Sequence, residues 1–124
     1  MYIIVDMKKY LTLKNLGWVL TILVSVMLGS SALSKLLGGD EMIKNFTFMN
    51  LLPYLDLLGV VELAGVILFI IPKTSMYGTV LLSSYLSGAV AIHLSMMGGQ
   101  GIFLPIILGV VVWTSHCLRT YVTE

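Results

Sequence analysis

Four long apolar stretches, separated by short polar breaks, divide the chain. A helix needs roughly 20 mostly apolar residues to cross about 30 Å of hydrocarbon, and slightly shorter stretches can still span it. The breaks contain glycine, proline or charged residues, which are typical of turns. Because the connections are short, neighbouring helices are predicted to run antiparallel. The pattern therefore predicts an all-α membrane protein, a bundle of four transmembrane helices at residues 16–37, 54–71, 76–97 and 102–118.

The segment between the first two predicted spans has a different pattern. Residues 40–53 mix the charged Glu41 and Lys44 with apolar and aromatic residues such as Phe46 and Phe48. Such a mixture is typical of a short amphipathic helix at the membrane interface. We expect this segment to pack over the outer mouth of the bundle, because its aromatic side chains would otherwise face water.

Composition narrows the picture to one transmembrane domain covering residues 1–124. The chain has 124 residues, 58% hydrophobic and only 10% charged, whereas soluble domains carry about a quarter charged residues. Once the apolar stretches are assigned to a bilayer, too little polar sequence remains for a second core or a separate catalytic domain. The first apolar stretch is too long for the core of a cleaved signal peptide, so we expect it to remain as a span.

Charge and cysteine content exclude several function classes. Seven basic residues balance six acidic ones and lie scattered along the chain, so no nucleic-acid partner is expected. Cys117 is the only cysteine, so one chain cannot form a disulfide or a cysteine zinc site. No nucleophile elbow, phosphate-binding loop or metal-ligand spacing is present, and the sequence therefore favours a protein that is not an enzyme.

The basic residues that flank the spans predict the orientation, since they are enriched on the cytoplasmic side. With both termini in the cytoplasm, five basic residues lie inside and two outside. This arrangement is the favoured one. The five are Lys8, Lys9, Lys14, Lys73 and Arg119, and the two are Lys35 and Lys44.

Ionisable residues within the spans are the strongest candidates for function, because each costs about 3 kcal/mol at the centre of a membrane helix. Glu62 lies some eight residues into the second span, or about 12 Å from its outer end at 1.5 Å per residue. Lys35 lies near the outer end of the first span, and His93 lies near the outer end of the third. All three depths fall in the outer half of the bundle, where Lys35 and Glu62 are predicted to form an ion pair.

Helical periodicity places further polar residues beside this pair. Asp56 and Glu62 belong to a stripe with a three-residue repeat on the second helix, and Tyr85 and His93 belong to one with a four-residue repeat on the third. Ser31 precedes Lys35 by one turn. The sequence therefore predicts an outward-facing polar pocket without a metal, formed by Lys35, Glu62, His93, Ser31, Tyr85 and Asp56.

Each of these residues also has a purely structural interpretation. Lys35 at a helix end is typical of a lysine that extends its ammonium to the interface. His93 could be a packed histidine, and Glu62 could belong to an ion pair that only stabilises the fold. Near the other membrane face, His116 fits the favourable position of a histidine at a helix C-terminus, and Trp18 fits an interfacial aromatic anchor.

Three segments together resemble one known family. They are GSSALSKLLG at residues 29–38, GVVELAGVILFIIP at 59–72, and GAVAIH at 88–93, with Gly78 between the last two. In this order they are similar to the DoxX-like family of small four-helix membrane proteins. The resemblance implies a multi-pass protein of the bacterial cytoplasmic membrane. In some members it implies an association with quinone-linked oxidation and with sulfur or oxidative-stress metabolism, as the membrane subunit of a larger complex.

Lys35 and Glu62 match the polar positions of that family, so the resemblance favours a membrane subunit or binding module. Its pocket would hold a quinone ring or an anionic metabolite, and its partners would be the lipid bilayer and another protein subunit or a second copy. Without a cysteine pair, a thiol-redox role is not expected. Two alternatives stay open: proton-coupled transport of a small solute through Glu62 and His93, and a purely structural scaffold.

Overall fold

The computed structural model of the protein describes residues 2–96 and 98–121, and the side chains of residues 12–96 and 98–120. Five helices and two short 3₁₀ turns account for nearly all of this part of the chain. The 3₁₀ turns, Leu52–Tyr54 and Pro72–Thr74, each contain a proline in the first turn, where its missing N–H costs nothing. The helices are α1 (Tyr2–Leu37), α2 (Asp40–Phe48), α3 (Leu55–Ile70), α4 (Ser75–Met96) and α5 (Phe103–Tyr121).

Four of these helices are long and apolar enough to cross a membrane, as the sequence predicts. The segments that qualify are Thr12–Leu37, Leu52–Ile70, Pro72–Met96 and Phe103–Thr120. Large apolar side chains on their outer faces are exposed in the bundle, which suits contact with lipid chains and not with water. The chain is therefore a multi-pass membrane protein.

The four long helices form a ring in which α1 and α4 each pack against both α3 and α5. Helices that pack together run antiparallel: the end of α1 lies beside the start of α3, where Gly59 faces Lys35, and the middle of α1 lies beside the end of α5, where Gly17 faces Arg119. Small residues at these points let the helices approach closely. The apolar core comprises Val24, Leu28, Val66, Phe69, Leu82, Leu86, Leu108 and Val112.

The chain leaves α1 at Gly38 and leaves the short helix α2 at Asn50, and both residues have a positive φ. Gly38 has a φ of +65°, the left-handed conformation in which helices often end. At the other end Asn50 has a φ of 59°, and the Leu51 amide donates to the Phe46 carbonyl at 2.9 Å. Together these two features form a Schellman-type C-cap.

The prediction that the aromatic residues of this segment pack over the bundle is correct for Phe46 and wrong for Phe48. Phe46 is buried, whereas Phe48 is 63% exposed. Two residues along a helix turn the side chain by about 200°, so the two rings cannot face the same side. A single aromatic side chain of α2 therefore covers the end of the bundle near Lys35.

Candidate polar site

Lys35 and Glu62 form a buried ion pair between α1 and α3. The Lys35 Nζ lies 2.7 Å from Glu62 Oε2, and the two side chains are 8% and 1% exposed. Gly59, one turn before Glu62, allows this approach because a methyl group there would press against Lys35 and Leu36. The contact expected between these two residues is therefore present.

Ser31 and Tyr85 complete a hydrogen-bond cluster around the pair. The Lys35 ammonium donates to Ser31 Oγ at 2.6 Å, and the Tyr85 hydroxyl donates to Glu62 Oε2 at 3.0 Å. The Ser31 hydroxyl also lies 3.4 Å from Oε2. Three helices thus contribute to the cluster. Lys35, Ser31 and Tyr85 all direct a donor at the same carboxylate oxygen, Glu62 Oε2.

Two aromatic rings lie against the Lys35 ammonium. The ring centres of Phe46 and Tyr85 are 5.9 and 5.7 Å from Nζ, within the range of cation–π attraction. Tyr85 therefore contacts both charges of the pair, with its ring near the ammonium and its hydroxyl on the carboxylate. The buried Phe46 lies in α2, so this short helix contributes a side chain to the site.

The cluster retains unused hydrogen-bonding capacity on both charged groups. An ammonium has three N–H donors and a carboxylate has two acceptor oxygens. Ser31 and Glu62 accept two of the three Lys35 donors, and no third acceptor is found in the described part of the chain. The donors to Glu62 all reach Oε2, and none from the described side chains reaches Oε1. The site can thus offer one more donor and one more acceptor to a ligand.

Asp56 and His93, which the sequence also places in the pocket, make no hydrogen bond or ion pair with this cluster among the described residues. Asp56 is exposed in the first turn of α3. A three-residue step falls about 60° short of a full turn, so Asp56 has drifted by about 120° from Glu62. His93 Nδ1 lies 2.7 Å from the carbonyl oxygen of Ala89 on its own helix, and its ring lies beside Gly101.

A second polar cluster, which the sequence does not predict, lies at the opposite end of the bundle. Arg119 is buried, and its Nη2 donates to the Phe69 carbonyl at 2.8 Å and to Ser75 Oγ. Ser75 Oγ in turn lies 2.9 Å from His116 Nδ1. The Ser75 hydroxyl therefore joins Arg119 on α5 to His116 one turn earlier on the same helix.

Two aromatic rings pack against the charged group of this second cluster. The Arg119 guanidinium lies 4.6 Å from the ring centre of Trp18 and 4.8 Å from that of Phe69. Phe69 lies in the last turn of α3, where carbonyl groups lack partners within the helix. Arg119 on α5 therefore donates to a carbonyl group at the end of α3 and does not merely flank its own span. The only feature of the sequence that points to this cluster is the three-residue spacing of His116 and Arg119, which places both side chains on one face of α5.

Comparison with known proteins gives one match. No curated protein and no solved structure matches the chain significantly. The DoxX-like family matches residues 19–115, a range that covers most of the chain and includes the cluster around Lys35 and Glu62. By this match the chain belongs to the DoxX-like family.

Proposed function

We propose that this protein is a membrane binding subunit whose cluster around Lys35 and Glu62 holds a quinone-like ring. The observation that carries the proposal is the unused capacity of the buried pair. Lys35 retains one N–H donor, and Glu62 Oε1 receives no donor from the described side chains. A site with both a spare donor and a spare acceptor suits a group that alternates between a carbonyl and a hydroxyl.

Quinones fit this requirement in both redox states. The carbonyl oxygen of a quinone accepts a hydrogen bond from the Lys35 ammonium, and the hydroxyl of the corresponding quinol donates a hydrogen bond to Glu62 Oε1. The rings of Phe46 and Tyr85, which already lie against the ammonium, provide aromatic surface for a planar ligand. Oxidation of a quinol releases two electrons and two protons, and a partner protein would take the electrons. We therefore assign binding to this chain and redox chemistry to a partner subunit.

An anionic metabolite fits the site less well, because Glu62 already neutralises the Lys35 charge at 2.7 Å. A second anion would meet the carboxylate at close range, where like charges repel strongly in a medium of low dielectric constant. A neutral ring carries no such penalty. This balance of charge favours a quinone over an anionic ligand.

Proton-coupled transport through Glu62 and His93 has less support. The His93 Nδ1 is engaged by the Ala89 carbonyl at 2.7 Å, and no hydrogen bond joins His93 to Glu62 among the described residues. The four spanning helices are also continuous over their described lengths, whereas transporters commonly bind their substrates at broken helices. Uptake of a labelled solute by proteoliposomes that depends on Glu62 would favour transport over binding.

The location of the site follows from the orientation that the basic residues favour. We place the protein in a bacterial cytoplasmic membrane with both termini in the cytoplasm. The Lys35–Glu62 pair then lies in the outer half of the bilayer. A quinone is itself lipid-soluble, so it would reach this depth from within the membrane.

A direct binding measurement tests the proposal. The purified protein in lipid nanodiscs is titrated with a short-chain ubiquinone, and binding is followed by calorimetry. We expect saturable binding that Lys35→Met and Glu62→Gln each weaken by about tenfold, since a hydrogen bond to a charged group contributes about 1.5–3 kcal/mol.

Asp56→Asn is the matched control, because it removes a carboxylate from the same helix at an exposed position. It should leave the affinity unchanged. Equal binding by the wild type and by folded Lys35→Met and Glu62→Gln variants would overturn the proposal, as would the absence of saturable binding by the wild type.

A further inference from the structure

A groove of about 290 Å³ runs along α1 where the end of α3 packs against it. Its volume is at the lower end of the range for small-molecule sites, about 300–1,000 Å³. Two polar lining residues, Thr21 and Ser25, are buried, and most of the remaining lining is apolar and exposed. The lining residues are Trp18, Thr21, Ile22, Ser25, Val26 and Ile70.

The hydroxyl of Ser25 is the unusual feature of this groove. It is buried, 9% exposed, and has no hydrogen-bond partner among the described residues. Serine and threonine in helices commonly bond to the carbonyl four residues earlier, and Thr21 does so with Gly17 at 2.8 Å. Ser34, Thr79, Ser87 and Thr120 follow the same pattern. Ser25 departs from it and lines the groove with an unsatisfied hydroxyl.

The depth of Ser25 restricts what can satisfy that hydroxyl. Ser25 is in the middle of the span Thr12–Leu37, so it lies near the centre of the bilayer. The polar groups of phospholipids lie about 15 Å away at the interface, since the hydrocarbon core is about 30 Å thick. Water is scarce at this depth, and an unsatisfied polar group there is costly. A polar group of a ligand that enters the membrane core can supply this partner.

We infer that this groove is a second ligand site, which binds a neutral, lipid-soluble molecule carrying a carbonyl oxygen. The carbonyl accepts the Ser25 proton, and the apolar body lies between Ile22 and Ile70 on the groove wall. Trp18 forms one end of the site and is held in place by Arg119, whose guanidinium lies 4.6 Å from its ring centre. No charged side chain lines the groove, so a neutral ligand is favoured over an ion.

The groove is separate from the cluster around Lys35 and Glu62. Ser25 and Lys35 are ten residues apart on α1, or about 15 Å along the helix axis. The two sites also differ in chemistry, because the outer one is built on an ion pair and the groove offers a single neutral donor. The inference therefore does not depend on quinone binding at the outer site.

Benzophenone is a suitable probe, because it is a neutral aromatic ketone that crosslinks to nearby C–H bonds on illumination and is not a quinone. The protein in nanodiscs is illuminated with increasing benzophenone, and labelled peptides are identified by mass spectrometry. We expect saturable labelling of α1 around Ile22 and Val26. Ser25→Ala should raise the half-saturating concentration about fivefold, the usual effect of one neutral hydrogen bond.

Two further variants keep the test decisive. Ser87→Ala removes an exposed serine that bonds within its own helix and should leave labelling unchanged. Ile70→Trp should fill the groove and abolish the saturable component. Labelling that is unsaturable, or equal in the wild type, Ser25→Ala and Ile70→Trp, would overturn the inference.

A neighbouring membrane helix is the alternative occupant of the groove. In a Cys117→Ala background, Ser25→Cys at the floor of the groove would then form disulfide-linked dimers in native membranes. Efficient dimer formation would overturn the small-molecule site, whereas a monomeric variant with a modifiable thiol would support it.

Discussion

Lys35 and Glu62 lie 27 positions apart in the sequence, yet their charged atoms meet at 2.7 Å between the end of α1 and the middle of α3. The intervening chain turns at Gly38 and continues into α2, whose Phe46 lies over the ammonium. The same segment that reverses the chain thus also covers the pair.

The first prediction concerns the stability of this pair. Glu62→Gln leaves the Lys35 charge buried without its partner, and breaking a buried ion pair typically costs about 3–5 kcal/mol. The double change Lys35→Met with Glu62→Gln removes both charges and should recover much of that loss. Reversible unfolding in mixed micelles gives the free energies of the three variants and the wild type.

The same series distinguishes a ligand site from a structural device. If the pair serves only the fold, the stable double variant should bind the short-chain ubiquinone as tightly as the wild type. If the pair holds the ligand, that variant should stay folded and lose binding. A double variant as unstable as Glu62→Gln alone would contradict the pairing energy itself.

The second prediction concerns Gly78 at the contact between α3 and α4. A methyl group at Gly78 would overlap the backbone of Phe69, and a backbone cannot yield as a flexible side chain can. Gly78→Ala should therefore lower the free energy of unfolding by about 3 kcal/mol, the upper end for overpacked sites. Thermal unfolding in nanodiscs provides the measurement.

Gly88→Ala on the same helix is the control for Gly78→Ala. Beyond the local backbone of α4, no atom of the described residues lies within 4 Å of a methyl group placed at Gly88, and alanine is the better helix former by about 1 kcal/mol. We expect Gly88→Ala to be neutral or slightly stabilising. Equal losses in the two alanine variants would show that the close approach at Gly78 does not limit stability.

The third prediction is the orientation in the membrane. In a Cys117→Ala background, cysteine replaces Gln100 in the turn between α4 and α5, or Lys73 in the turn between α3 and α4; both positions are exposed. A membrane-impermeant maleimide added to intact cells should label Gln100→Cys and spare Lys73→Cys. The reverse pattern would place the termini and the Lys35–Glu62 pair on the opposite sides.

The sequence predicts the spans and the central pair well because two simple rules determine them. Hydropathy fixes which residues lie within the bilayer, and the rise of 1.5 Å per residue fixes their depth. Lys35 and Glu62 lie at similar depths on helices joined by a short segment, so an ion pair is the least costly arrangement for both. Ser31, one turn before Lys35, follows from the same helical period.

The parts that the sequence does not predict have equally physical causes. Asp56 shares a three-residue repeat with Glu62, but the repeat drifts by about 60° per step, and the side chain is exposed. The second cluster depends on Phe69, whose backbone carbonyl accepts the Arg119 proton at 2.8 Å. A carbonyl acceptor has no sequence signature, so the role of Arg119 at the end of another helix could not be predicted.

The last prediction tests that role of Arg119. Arg119→Lys keeps the positive charge but loses the planar group that lies against Trp18 and Phe69, together with the Nη2 that reaches the Phe69 carbonyl and Ser75. A lysine cannot reproduce this stacked, forked geometry. The free energy of unfolding should fall by about 1.5–3 kcal/mol, the range for hydrogen bonds that involve a charged group.

Lys73→Arg, an exposed cation at the same end of the bundle, is the matched control and should change stability by less than about 0.5 kcal/mol. In a Trp113→Phe background Trp18 is the remaining tryptophan, so its emission should shift in Arg119→Lys and not in Lys73→Arg. Unchanged stability and emission in Arg119→Lys would show that the charge alone, and not the guanidinium geometry, holds the end of α3.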